Sequence, residues 1–231
     1  MSRYLPMLLA AAALALATAS LAYPSFNGAT GNVSTPNALI QADGAFFAAA
    51  DVIFFDDAEV NARAVLGLTD NLEVGAVLTL GDNTGFGVSG KYRLPMTAAD
   101  AAWALGLQFA DSDESGSGFQ AYIVASRTLT GAGEGMDLLG TLGVTFTDFE
   151  DVSGVRPFVG AQLMLPQDFE ILGEFALEAG DLGDSIFSFA VRKQFSPTLG
   201  GEIGITNARG FLADADSSFF LGINLALPSP G

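Results

Sequence analysis

The stretch "LTDNLEVGAVLTLGDNTGFGVSGKYRL", Leu68–Leu94, decides how the whole chain is read. From Leu72 to Leu80 every second residue is apolar (Leu72, Val74, Ala76, Leu78, Leu80), with Glu73, Gly75, Val77 and Thr79 between them. After a Gly-Asp-Asn break, Phe86, Val88, Gly90, Tyr92 and Leu94 share one face, and Gly87, Ser89, Lys91 and Arg93 the other. Alternation with period two on both sides of a turn-forming break predicts two strands of an antiparallel hairpin. One face is too apolar for water and the other carries too much charge for a dry core. A wall with lipid on one side and water on the other satisfies both.

The same alternation recurs along the chain. It predicts strands at about 45–55, 59–68, 72–80, 86–94, 101–110, 119–129, 138–147, 155–165, 169–178, 185–195, 199–206 and 219–227, twelve in all with bounds of ten to fourteen. Half of the residues are hydrophobic and the mean hydropathy is +0.41, yet this apolar content is spread through short segments. Tilted strands of ~9–11 residues suffice to cross a bilayer. The connections also alternate. Tight turns at 69–71, 166–168 and 196–198 follow even-numbered strands, with longer connections at 95–100 and 130–135, whereas the connections 56–57, 81–85, 111–118, 148–154, 179–184 and 207–218, rich in acidic residues, follow odd ones. Short turns at one end and longer loops at the other are the habit of outer-membrane barrels. Phe86, Tyr92, Phe109, Phe119, Phe146, Phe169, Phe195 and Phe219 fall near strand ends, where interfacial girdles belong. A soluble sandwich would bury its apolar faces and gives no reason for two kinds of connection. The expected fold is all-β, a single transmembrane antiparallel up-and-down barrel over residues 44–231.

Ahead of it, Arg3, an apolar run from Leu5 to Ala17 and small residues up to Ala22 describe a cleaved signal peptide over residues 1–22. That run is short of the ~20 residues of a spanning helix. Residues 23–43 are polar and turn-rich. They are expected to close the periplasmic end or to tuck into the lumen.

Composition excludes several chemistries. The chain has no histidine and no cysteine, which removes Ser–His–Asp and Cys–His catalysis and His-ligated zinc. A net charge of −17 argues against nucleic acid as a partner. The stretch "DSDESG", Asp111–Gly116, begins like a calcium loop, but its twelfth position is Tyr122 instead of a bidentate Glu. No catalytic residues, cofactor or metal are expected. The informative charges sit on predicted inward faces: Arg63, Glu73, Lys91 and Arg93 on strands two to four, and Glu170, Glu174, Glu178, Arg192 and Glu202 on strands nine to eleven. In a twelve-strand barrel, strands three and nine are opposite. A mostly basic wall would then face a mostly acidic one, and such walls set ion preference in pores.

The pattern resembles the small porin-like outer-membrane β-barrels of Gram-negative bacteria over nearly the whole mature chain. That resemblance implies export through the periplasm to the outer membrane, with contact to membrane lipid and lipopolysaccharide. The last strand, "FFLGINLAL", has Gly222, Leu225 and Leu227 in an order that looks like the signal read by the barrel-assembly machinery, although it ends on Leu227 instead of an aromatic. The stretch "FNGATGNVSTPNALIQADGAF", Phe26–Phe46, is similar to the opening of YjbH-like outer-membrane proteins linked to exopolysaccharide export. Two functions are therefore expected in order: a channel for small hydrophilic solutes or ions, and a non-conducting structural or assembly barrel associated with exopolysaccharide export.

Overall fold

A computed structural model describes residues 23–54, 58–81, 84–98, 100–113, 116–129, 136–150, 152–178, 182–209 and 212–227. The expected signal peptide, residues 1–22, lies outside them, as do Asp56, Asp57 and Asp82 of the acidic connections.

The strands are β1 (Phe46–Phe54), β2 (Ala58–Thr69), β3 (Leu72–Leu80), β4 (Gly85–Ala98), β5 (Ala101–Ser112) and β6 (Gly116–Leu129), followed by β7 (Asp137–Phe149), β8 (Ser153–Leu165), β9 (Phe169–Ala176), β10 (Ile186–Gln194), β11 (Leu199–Arg209) and β12 (Leu212–Leu227). Each pairs antiparallel with its neighbours in sequence, and β1 pairs with β12 to close the barrel. Closure leaves no free edge, so every central backbone donor and acceptor is satisfied within the sheet, as a hydrocarbon solvent demands.

The alternation read from sequence is the in–out alternation of the wall. In β3 and β4, Leu78, Val88 and Tyr92 face out, while Glu73 and Lys91 face in and are each about 1% exposed. Leu107, Leu142 and Ile223 are more than half exposed on the outside. A protein that buries lysine and arginine and presents leucine is built for lipid. Phe54 stacks on Phe219, Phe86 lies against Phe109, and Phe119 against Phe146, all outward at one end of the barrel. Inside, Tyr122, Phe158 and Phe220 lie across Gly106, Gly143 and Gly204, their partners on the adjacent strands. Rings fill the space that the glycines leave.

Two differences from the expected boundaries matter. Residues 207–218 were expected as a loop, but β11 runs to Arg209 and β12 begins at Leu212. Likewise β5–β6 and β7–β8 continue as hairpins through most of their acidic connections. A ladder in water needs no apolar alternation to keep its hydrogen bonds, so period two does not mark these extensions. Conversely β9 stops at Ala176 instead of running to Glu178.

Twelve strands enclose more room than the eight whose side chains fill a barrel, and less than the sixteen or so of an open porin. The room is taken by the chain itself. Residues 23–41 lie inside, almost all of them buried. The segment enters at the end where β1 begins and β12 finishes. There the Tyr23 ring packs edge-on against Phe47 at 4.8 Å between centroids. Farther in, Phe26 meets Phe220 at 5.0 Å. The chain then returns past Ala38 and Gln41 and joins β1 through Gly44, whose positive φ of 69° suits glycine.

Candidate functional site

The site is the contact between this lumenal segment and the wall. Residues 23–41 carry no charged side chain. Their main chain folds largely on itself: the Phe26 N–H donates to the Val33 carbonyl at 2.7 Å, the Gly31 N–H to Tyr23 at 2.8 Å, and the Asn37 N–H to Thr30 at 3.1 Å. Two β-bridges, Pro24 with Thr30 and Gly31 with Pro36, lie within the segment. Among the described residues it adds no strand to the barrel.

The wall grips it with charged side chains. Glu174, inward on β9, accepts from five donors. Its Oε1 takes the Ser34 N–H at 2.7 Å and the Ser34 hydroxyl, and its Oε2 takes the Val33 N–H at 3.3 Å, the Thr35 N–H at 3.0 Å and the Thr35 hydroxyl at 2.7 Å. Successive backbone N–H groups curled around one anion form a nest, and here the anion belongs to the barrel. Glu73 on β3 accepts the Thr30 N–H at 2.8 Å, the Thr30 hydroxyl at 2.6 Å and the Gln41 N–H at 2.9 Å. Beside it the Lys91 ammonium on β4, 3.0 Å from the Glu73 carboxylate, donates to the carbonyls of Thr30 at 2.7 Å and Asn37 at 3.2 Å. The Arg192 guanidinium on β10 donates to the Asn32 carbonyl at 2.7 Å and lies 4.6 Å from the Tyr23 ring centroid. Neutral side chains add to this: Gln108 reaches the Asn27 carbonyl, Ser89 the Gly28 carbonyl, and Ser126 accepts from the Ala38 N–H. Burial and the Glu170 carboxylate push the Tyr23 phenol above its ordinary range, so it stays a donor, 2.7 Å from the Gln194 amide oxygen.

Two wall glycines make the close approach possible. A Cβ on Gly75 would overlap the Gly28 carbonyl, and one on Gly160 would overlap the Asn32 amide.

The other inward charges form a cluster at the seam. Arg63 on β2 pairs with Asp51 on β1 and with Glu202 on β11, and Arg192 pairs with Glu202 at 2.8 Å. Arg63 also stacks 4.9 Å from the Phe26 ring centroid. A buried charge is costly unless paired, so each member fixes the others. Gly222 lies between Asp51 and Glu202 in the register, and a Cβ there would overlap the Asp51 carboxylate.

This places the nine charges named from sequence. Closing β1 on β12 puts Arg63 of strand two within reach of Glu202 of strand eleven. The basic and acidic groups are therefore interleaved locally, with the segment standing between the two sides. Glu170 bonds the Gln162 amide at 3.1 Å. Arg93 is half-buried and bonds the Asn71 side chain at the turn after β2, while Glu178 lies beyond β9 and is exposed. Those two stand at the two mouths. Sequence reasoning missed Asp51, Arg156 and the hydroxyls of Thr30, Ser34 and Thr35. A lone aspartate at an inward position of the apolar strand "FFAAADVIF" was the signal for the first. Arg156 donates to the carbonyls of Leu182 at 2.5 Å, Gly183 at 3.3 Å and Asp184 at 3.1 Å, which draws Leu182 into burial over the other end of the lumen. Between Arg156 and the segment's Ser34–Pro36 turn is a cavity of about 20 Å³, lined also by Gln120, Thr145 and Thr147. That is room for roughly one water.

Solved structures share this architecture. The KdgM porin matches with a TM-score of 0.65 at 9% identity, covering 78% of this chain and 99% of that one. The NanC porin gives 0.60 at 10% identity, covering 79% and 100%. The Acinetobacter baumannii outer membrane protein Omp33 gives 0.56 at 9%, covering 81% and 99%. The fold is that of an outer-membrane porin barrel. No protein-family model matches the chain and no curated protein does. The resemblance of Phe26–Phe46 to the exopolysaccharide proteins accordingly has no support from them.

Proposed function

We propose that the protein is an outer-membrane channel for small hydrophilic solutes or ions, and that its N-terminal segment is the gate. The observation that carries this reading is the way residues 23–41 are held. They carry no charged side chain, are folded on themselves, and add no strand to the sheet. Withdrawal toward the periplasm breaks side-chain contacts and leaves the barrel ladder intact. The fit is also imperfect. Among the described residues, Asn27 Oδ1, Asn32 Oδ1, Gln108 Oε1, Arg192 Nη1 and Arg63 Nε are buried without a hydrogen-bond partner.

With the segment out, Arg63, Lys91 and Arg192 on one hand and Glu73, Glu170, Glu174 and Glu202 on the other line an aqueous path and set its ion preference, with Arg93 and Glu178 at the mouths. Signal cleavage after Ala22 makes Tyr23 the mature N-terminus. The outward Leu225 and Leu227 of β12 support insertion by the barrel-assembly machinery, next to lipopolysaccharide. Nothing in this reading calls on catalysis.

A second reading has one observation in its favour: the lumen is filled, as in a structural barrel that never conducts. Single-channel recording of the refolded mature protein in a planar bilayer, under a salt gradient, separates the two. Discrete openings with a definite ion preference support the gated channel. A protein that inserts and stays silent, also when docking contacts are removed, is a structural barrel.

A further inference from the structure

The way the segment is held also bears on what passes. Ser34 and Thr35 are consecutive, and their hydroxyls bond the two different oxygens of one carboxylate, Glu174. Thr30 places a third hydroxyl on Glu73. Two neighbouring hydroxyls donating to the two oxygens of a carboxylate is also how a carboxylate binds a vicinal diol. The wall thus holds an occupant without charged side chains through hydroxyls on carboxylates, through carbonyls on Lys91 and Arg192, and through a ring on Arg192. Glu174 makes no salt bridge among the described residues; the segment supplies its donors. When the segment leaves, those donors leave with it. Meanwhile Arg192 Nη1 and Asn32 Oδ1, buried at this contact, have no hydrogen-bond partner among the described residues even when the segment is docked.

We propose that Glu174 and its surroundings form a solute-recognition site for uncharged, hydroxyl-rich molecules of the saccharide class, and that Ser34 and Thr35 occupy it in place of the solute. Solute and segment compete for Glu174, so the solute that passes is the one that helps to open the gate. Acidic saccharides are disfavoured, because Glu174 and Glu170 would face them with like charge. The inference rests on the channel reading for its biological sense, but the site is testable without conduction.

The test is calorimetry on detergent-refolded mature protein, with maltotriose as probe and galacturonic acid and triethylene glycol as controls. In the Ser34→Ala/Thr35→Ala double variant, which removes the competing hydroxyls and leaves the barrel wall untouched, maltotriose should bind at least ten-fold more tightly than to the wild type. Adding Glu174→Gln should abolish that gain, and neither control should bind comparably. In the wild type, maltotriose should increase protease cleavage within residues 23–41. No maltotriose binding to the double variant overturns the proposal, and so does binding that Glu174→Gln leaves unchanged. Binding without conduction in any variant would sink the channel reading and spare the site; conduction without binding would do the reverse.

Discussion

Glu174→Gln is the most direct probe of the gate. The carboxylate accepts three backbone N–H groups and two hydroxyls from Val33–Thr35. Glutamine retains one oxygen and replaces the other with an amide nitrogen. If the oxygen stays opposite Ser34, the new N–H₂ points at the N–H groups of Val33 and Thr35, and both lose their acceptor. The Thr35 hydroxyl can rotate to accept instead. Bonds to a charged acceptor contribute about 1.5–3 kcal/mol each, and a stranded buried donor costs about 1–3 kcal/mol. Against this, the wild-type carboxylate regains hydration when the segment leaves, more than a glutamine would. Taking these together, docking weakens by about 3 kcal/mol, a shift of roughly 100-fold in the docked-to-free ratio at 1.4 kcal/mol per decade. The assay is the fraction of time open in single-channel records. Glu170→Gln is the control, because Glu170 bonds Gln162 on the wall. An open fraction for Glu174→Gln within about three-fold of wild type, under 1 kcal/mol, would refute the account of how the segment is held.

Three more perturbations read the same contact from other sides. Gly75→Val should expel the segment without touching the outer face, since even a Cβ at Gly75 overlaps the Gly28 carbonyl; the readout is persistent conductance from a barrel whose unfolding on heated gels is unchanged. Lys91→Met removes the cation beside buried Glu73 together with two donors to the segment. Breaking a buried pair costs about 3–5 kcal/mol in the docked state, so proteinase should cleave residues 23–41 far faster than in wild type. Because the chain has no cysteine, Ala38→Cys/Ser126→Cys introduces a lone pair of thiols where the Ala38 N–H meets the Ser126 hydroxyl at 2.9 Å. Oxidation should hold the channel shut and a reductant should restore openings; equal conductance in both conditions counts against gating by this segment.

What could be read from the chain alone was whatever the membrane imposes locally. Alternation of Leu72–Leu80 against Glu73, Gly75 and Thr79 is a one-strand property, because the two faces of each strand meet two different solvents. It fixed the fold class, the strand number and most boundaries to within a few residues. Where the strands leave the lipid, at 207–218 and near Glu178, that constraint ends and the reading drifted. The inward charges were also legible as inward, since no lipid-facing position would tolerate Glu73 or Lys91.

What they touch was not legible. Arg63 and Glu202 are 139 residues apart and meet only because β1 closes on β12 and Gly222 leaves room between them. Ser34 and Thr35 find Glu174 only because the enclosed space of twelve strands is wide enough for one returning chain and the wall is notched at Gly75 and Gly160. The polar, turn-rich composition of residues 23–43 suits a surface turn as well as a lumenal occupant. A period-two pattern reports which solvent each face sees; it carries no information on what fills the space behind it, and that is settled by closure, diameter and the fit of distant side chains.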